Sequence, residues 1–324
     1  MGINLTYEMI SEQNIEQAVA LVVAAYNEER TTLPILPEET DVKGLIHQSV
    51  TSLFHQGTGV VALLDGNLVA FMAGVERKEL WGRCKGFYSP LFGHGAVKEL
   101  RTVLYQQLYK HLADQLVKKQ ITSHALTLFA NDKETIDTWF LLGFGNRCVD
   151  SIRQAALLFP NKESEIVIKK IDLANLVDLA DIEREFHGYF RNAPMFMIAE
   201  TVDPIEQLTK WLDGENHHLW AAYRDGIVVG HMQMEPIGET FVSQHQDVMN
   251  ITGAYVAASE RNSGIATLLL NTIQQWQVDH GYPLCGVDFE AFNIDGSRFW
   301  NRYFEPYTYT VTRRIDERIN DENI

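Results

Sequence analysis

Apolar and polar positions along the chain form a pattern that occurs twice. Val60-Val61-Ala62-Leu63-Leu64-Asp65-Gly66-Asn67-Leu68-Val69-Ala70-Phe71 and Leu219-Trp220-Ala221-Ala222-Tyr223-Arg224-Asp225-Gly226-Ile227-Val228-Val229-Gly230 are both apolar runs joined at Asp-Gly. Asp-Gly tolerates the positive φ of a tight turn, so each run predicts a hairpin of antiparallel strands. Farther on, residues 126–131 followed by the aromatic segment 137–144 parallel residues 286–293 followed by 298–304. Each pair predicts a strand, an Asn and a short helix. Two landmarks recurring in the same order at similar spacing indicate a duplicated domain.

The remaining periodicity fills in both halves. In the second, a strand over 166–171 precedes a helix with apolar residues at Leu173, Leu176, Val177, Leu179 and Ile182. After the hairpin come a strand over 251–256 and a helix burying Ile265, Leu268, Leu269, Ile273 and Trp276. A strand ending at Phe292, the aromatic helix and a last strand over 307–313 complete it. The first half repeats this order, its long helix carrying Leu100, Leu104, Leu108, Leu112 and Leu116. Such a mixture predicts an α/β fold whose sheet has parallel and antiparallel pairs. Pro160-Asn161-Lys162-Glu163-Ser164 is polar and turn-prone, which places the boundary near 155–165 and predicts domains over 1–158 and 165–324.

The 324-residue length agrees with two domains, and the 46% hydrophobic, 22% charged composition with two packed cores. A net charge of −16 disfavours nucleic acid and anionic lipid as partners, since both need clustered basic surface. Cys84, Cys148 and Cys285 are odd in number and far apart, which predicts reduced thiols, a cytoplasmic location and no metal site. The longest apolar run, 18–26, is too short to span a bilayer. Met1-Gly2-Ile3-Asn4-Leu5-Thr6 fits the loose myristoylation pattern, without polybasic or second-lipid support.

Chemistry concentrates in Tyr255-Val256-Ala257-Ala258-Ser259-Glu260-Arg261-Asn262-Ser263-Gly264-Ile265-Ala266, between a strand and an amphipathic helix. Free N–H groups at a helix start bind phosphate, Gly264 and Ala266 let the backbone approach closely, and Arg261 adds charge. The same pattern also suits an ordinary capped helix, with Ser259 or Ser263 as the cap. The stretch resembles the pyrophosphate loop of the GNAT superfamily of acyl-CoA-dependent N-acetyltransferases, whose motif is Arg or Gln, two residues, Gly, one residue, Gly or Ala. Arg261, Gly264 and Ala266 fill that motif. The resemblance extends over the element order of residues 165–315, Asn293 included, while the first half shares the order without the loop. The whole chain therefore looks like two GNAT-like domains in tandem, the first degenerate, around Gly93-His94-Gly95.

The resemblance implies that two parallel strands splay and that the pantetheine arm of acetyl-CoA pairs with the open edge at Ala254, Tyr255 and Val256. Backbone N–H groups near Val256 would stabilise the oxyanion, and Arg261, Asn262, Ser263, Gly264, Ile265 and Ala266 would hold the pyrophosphate. Asn293 would touch the arm or cap the following helix. Many members place a Tyr on that helix to protonate the thiolate; the matching position here is Trp300, and Tyr303, one turn on, is the candidate acid. Strand alternation puts Asp288 and Glu290 on one face, and Glu290 is the candidate base, with a salt bridge to Arg298 or Arg302 as the structural alternative. The implied activity is acetyl transfer from acetyl-CoA to a primary amine of a small molecule or peptide. A non-catalytic acyl-CoA sensor or interaction module is the alternative. A dinucleotide oxidoreductase would want Gly-x-Gly-x-x-Gly after its first strand, and neither half has it. His217 and His218 point to opposite faces of a strand and predict no shared metal site.

Overall fold

In the computed structural model, which describes residues 5–159, 165–198 and 203–320, both Asp-Gly steps are hairpin turns. Asp65 and Gly66 have φ of 51° and 82°, and Asp225 and Gly226 have 51° and 80°, the sign a type I′ turn requires at both central residues. The boundary segment 160–164 and the start of the myristoylation-like pattern lie outside the described residues. No described helix is long and apolar enough to cross a membrane.

Chain order begins β1 (Leu5–Met9), α1 (Ile15–Thr32), α2 (Glu39–Gln56), β2 (Thr58–Leu64), β3 (Asn67–Arg77), β4 (Gly86–Ser89) and β5 (His94–Ala96). It continues with α3 (Arg101–Lys118), β6 (Ser123–Phe129), α4 (Lys133–Leu141) and β7 (Gly145–Gln154). The second repeat comprises β8 (Val167–Ile171), α5 (Ala180–Arg191), α6 (Pro204–Leu212), β9 (His218–Arg224), β10 (Ile227–Glu235) and β11 (Val248–Val256). It closes with α7 (Ile265–Asp279), β12 (Leu284–Glu290), α8 (Ile294–Tyr303) and β13 (Glu305–Arg314).

Packing divides the chain into one unit of Met1–Val149 with Pro306–Ile324 and another of Asp150–Glu305. In the first, β1, β2, β3 and β4 pair antiparallel in turn, β4 runs parallel to β6, and β6 pairs antiparallel with β13. Leu104, Leu108, Leu112 and Leu116 are all fully buried, as their i+4 spacing predicts, and Leu100 lies just before the helix, partly buried. The aromatic helix contributes Trp139, fully buried among the rings of Tyr105, Tyr109 and Phe144.

In the second unit β8, β9, β10 and β11 pair antiparallel, and β11 runs parallel to β12. The predicted helix from Leu173 opens as a 3-10 segment, Leu173–Leu179, before α5. With three residues per turn, Leu176, Leu179 and Ile182 share the buried face, whereas Val177 is turned to solvent and Leu173 is exposed at the segment's start. The units thus differ from the sequence boundaries 1–158 and 165–324. β7 crosses from one unit into the other, and all of β13 beyond Glu305 counts with the first. Beyond β7, Ala155 donates to the Pro283 carbonyl at 2.8 Å, and Leu158 to Asn271 Oδ1 at 2.8 Å, all within the second unit.

Candidate active site

A change of partner along β11 builds the site. Val248–Ile251 pair in parallel with Leu284–Val287 of β12, and the parallel register stops there, while β11 runs on to Val256. On its other side, Gln233 of β10 faces Gly253 and Met234 faces Ile251, so Thr252 is an extra residue, a β-bulge that bends the strand at this point. A Cβ on Gly253 would come within 2.6 Å of the end of the Gln233 side chain, which would have to shift aside. Past the bulge, β11 leaves the parallel ladder with β12. A strand edge without a ladder partner is ready to pair with an extended ligand.

A cavity of about 510 Å³ lies at this end of β11. The strand supplies Ala254, Tyr255 and Val256 to its wall; the following loop supplies Arg261, Asn262 and Gly264. Ile265 and Ala266 line it from the start of α7, and Asn293 and Trp300 from α8. Gly264 is the N-cap of α7, at φ 88° and ψ 0°, and contributes no side-chain cap. The first-turn N–H groups of α7 have no intrahelical acceptor. A Cβ on Gly264 would meet no atom within 4 Å, so the backbone here borders open space. These features fit a phosphate at the helix start.

Arg261 is held over the Tyr189 ring at 4.9 Å and the Tyr255 ring at 5.6 Å, and its Nη1 lies 3.3 Å from Asp295 Oδ2. Tyr255 donates its hydroxyl to Glu185 at 3.0 Å; burial first, then that carboxylate, push the phenol up to about 12, so it stays protonated near neutral pH. Asn293 caps the following helix, one of its two sequence readings. Its Oδ1 accepts from the Gly296 N–H at 3.1 Å, capping α8, and from the Tyr189 hydroxyl at 2.7 Å, and the residue also lines the cavity.

Three predicted residues stand outside the lining. The Ser263 hydroxyl donates to the Glu260 carbonyl at 2.5 Å, tightening the loop. The Tyr303 hydroxyl lies 3.3 Å from that of Thr267, which does line the cavity, so Tyr303 is one side chain behind the wall. Glu290 ends β12, half-buried, with Asp288 exposed on the same face as alternation predicts. Among the lining residues that the sequence reading did not assign to the site are Tyr189, His231, Arg298 and Arg302, the two arginines having been considered only as partners of Glu290. The two arginines had a legible signal, since i and i+4 on a short helix share a face. His231 had only its position as a polar residue in an apolar strand.

His217 and His218 diverge as expected: the first packs against Trp211 and the second against Trp276, both with tilted rings. No group of three or more metal-ligating side chains occurs among the described residues.

The matching region of the first unit is occupied by the unit's own side chains. The parallel pairing of β4 with β6 runs from Gly86 and Ser123 to Ser89 and Leu126. At the next β6 residue, buried His94 donates from Nε2 to the Thr127 carbonyl at 2.8 Å, and its Nδ1 accepts from the Tyr105 hydroxyl at 3.0 Å. Burial lowers the His94 pKa to about 4, so the ring is neutral. At the start of α3, Arg101 binds Glu28 at 3.0 Å and Asp132 at 2.6 Å, leaving no counterpart of the Gly264 turn.

Glu29 is buried there, accepting from the Asn131 N–H at 3.1 Å and Nδ2 at 2.7 Å. Burial raises its pKa to about 7 from an ordinary 4.5. Between these values the folded state holds a proton that the unfolded state has lost, so this residue makes stability fall as pH rises from about 4.5 to 7. The contribution is on the order of 3 kcal/mol. Urea unfolding of wild type and Glu29→Gln at pH 5 and pH 8 checks this: the wild type should lose stability relative to the variant at the higher pH, and a pH-independent difference refutes it.

Residues 178–304 match the model of the Acetyltransferase (GNAT) family. No curated protein matches the chain. Among solved structures, a GCN5-related N-acetyltransferase from Sphaerobacter thermophilus aligns over 96% of this chain and 95% of its own, with a TM-score of 0.60 at 13% identity. The GCN5-related glucosamine N-acetyltransferase region of a fungal multi-domain GH3 β-N-acetylglucosaminidase aligns over 96% of this chain with a TM-score of 0.58 at 13% identity. The chain spans 38% of the length of that protein. Identities this low speak for the fold, which follows these acetyltransferases through both repeats. The match to the acetyltransferase (GNAT) family model thus falls within the second unit, over residues 178–304.

Proposed function

We propose that the chain transfers an acetyl group from acetyl-CoA to a primary amine, with the transfer in the second unit. The observation that carries this reading is the departure of β11 from β12 beyond Ile251, leading directly to the open helix start at Gly264. An extended pantetheine arm matches the first feature and a pyrophosphate the second. Arg298 and Arg302 line the same cavity and place positive charge where a polyanionic substrate needs it in a chain of net charge −16. Backbone N–H groups near Val256 are the candidate oxyanion donors, and Tyr303, behind Thr267, is the candidate acid for the departing thiolate. The acceptor is a small-molecule or peptide amine. The first unit, with His94 and Arg101 engaged by its own groups, takes no acyl-CoA in this reading.

Calorimetric titration with acetyl-CoA, coupled to thiol release across an amine panel, tests the proposal. One equivalent bound per chain and amine-dependent thiol release are expected. No binding removes the reading, two equivalents remove the assignment of the first unit, and binding without thiol release favours an acyl-CoA sensor.

A further inference from the structure

Behind the cavity wall lies a pair of buried ionisable side chains. His231, on β10, lines the cavity and is fully buried; Glu183, on α5, is 2% exposed. His231 Nε2 and Glu183 Oε1 are 3.1 Å apart, without the alignment of a hydrogen bond, and neither ring nitrogen finds a hydrogen-bond partner among the described residues. A buried polar group left this way calls for a functional explanation. One helical turn on, His187 Nε2 stands 4.0 Å from Glu183 Oε2, with its side chain 23% exposed. The three side chains therefore form a line from the cavity toward solvent. His231 also sits directly across the ladder from Tyr255, beside the segment of β11 that has left β12. The charged or titratable groups facing it are Glu183 and His187 from α5 and Tyr255 from β11, the last tied to Glu185; its β9 partner is Ala221.

We propose that His231, backed by Glu183 and His187, takes the proton of the acceptor ammonium. The inference rests on the acetyltransferase reading and assigns its base to this line of side chains in place of Glu290. The ammonium gives one proton to His231 Nδ1, and Nε2–H passes its proton to Glu183 and on through His187 to solvent. The freed lone pair forms the N–C bond to the thioester carbon, and the C–S bond breaks with its electrons going to sulfur. The second N–H proton leaves as the intermediate collapses and neutralises the thiolate. Burial raises Glu183 to about 7, so near neutral pH its carboxylate form is available to take the Nε2–H proton as Nδ1 gains one, and the ring, whose pKa burial lowers, does not have to hold both. His231 is the catalytic residue; Glu183 and His187 act through it.

The test compares two nucleophiles in the thiol-release assay with acetyl-CoA: a panel of primary alkylamines, charged at neutral pH, and hydroxylamine, already neutral there. His231→Gln and Glu183→Gln should lower kcat with alkylamines about 100-fold or more, in line with general base catalysis. Transfer to hydroxylamine should fall far less than transfer to alkylamines, and retained acetyl-CoA binding with a wild-type circular dichroism spectrum shows that the variants are folded. His187→Gln, at a partly exposed position, keeps the test available if the buried variants do not fold, and should slow only the alkylamine reaction. Equal losses with both nucleophiles, no loss with either, or the alkylamine-specific loss appearing in Glu290→Gln instead, overturns the proposal. The proposal also falls if the wild type uses hydroxylamine and no alkylamine. Thiol release by the wild type with neither nucleophile removes the acetyltransferase reading itself.

Discussion

Replacing Gly264 by glutamate is expected to lower the affinity for acetyl-CoA at least ~100-fold. Two effects act together. At φ 88° an L-residue is strained, by about 1–2 kcal/mol, so the turn that presents the first N–H groups of α7 is disturbed. A side chain at this position also projects into open space beside the cavity, and its carboxylate would repel the phosphates that the proposed function places at this helix start. Losing a hydrogen bond to a charged group costs about 1.5–3 kcal/mol, so losing two exceeds the ~2.7 kcal/mol that corresponds to 100-fold. Gly264→Ala separates the two, since it keeps the backbone strain and adds no charge, and should lose much less. Calorimetry on both variants is the measurement. Unchanged affinity in Gly264→Glu excludes the helix start as the pyrophosphate seat.

Ending the chain at Glu305 is expected to unfold the first unit cooperatively, although every residue removed belongs to the second repeat or follows it in the sequence. The loss takes away β13, whose residues 308–314 pair with β6 along residues 123–129. Tyr307, Thr308 and Val311 are at most 1% exposed, and the Thr310 and Thr127 hydroxyls lie 2.8 Å apart within the ladder. Burying one Tyr- or Val-sized side chain contributes about 1.5–3 kcal/mol, so two of them with a full strand ladder approach the ~5–15 kcal/mol stability of a whole domain. Hydrogen exchange should show lost protection in β6 and α3, and residues 306–324 supplied as a peptide should restore it. Unaltered protection in β6 refutes the assignment of β13 to this unit.

Local chemistry made much of the architecture legible. Asp-Gly can occupy the positive-φ turn, so both hairpins were readable, and Leu104 to Leu116 at i+4 spacing could only form one buried stripe. At the site, Gly264 and its neighbours were readable because helix-start chemistry is local. Val177 misled, because its spacing suited a 3.6-residue period and the segment turned with three residues. Arg298 and Arg302 were visible in hindsight from their spacing alone.

The sequence by itself determined that one fold is used twice, that residues 261–266 form a glycine-containing loop at the start of a helix, and that only the second copy carries that motif. Each of these depends on neighbours in the chain. Tertiary structure decided that the last strand, β13, pairs with β6 of the first unit, because a closing strand makes the same local demands in either repeat and periodicity cannot tell them apart. It also decided that His231 meets Glu183, 48 residues apart in number and 3.1 Å apart in space. That contact exists only once α5 packs across β10, and no spacing within either segment encodes it.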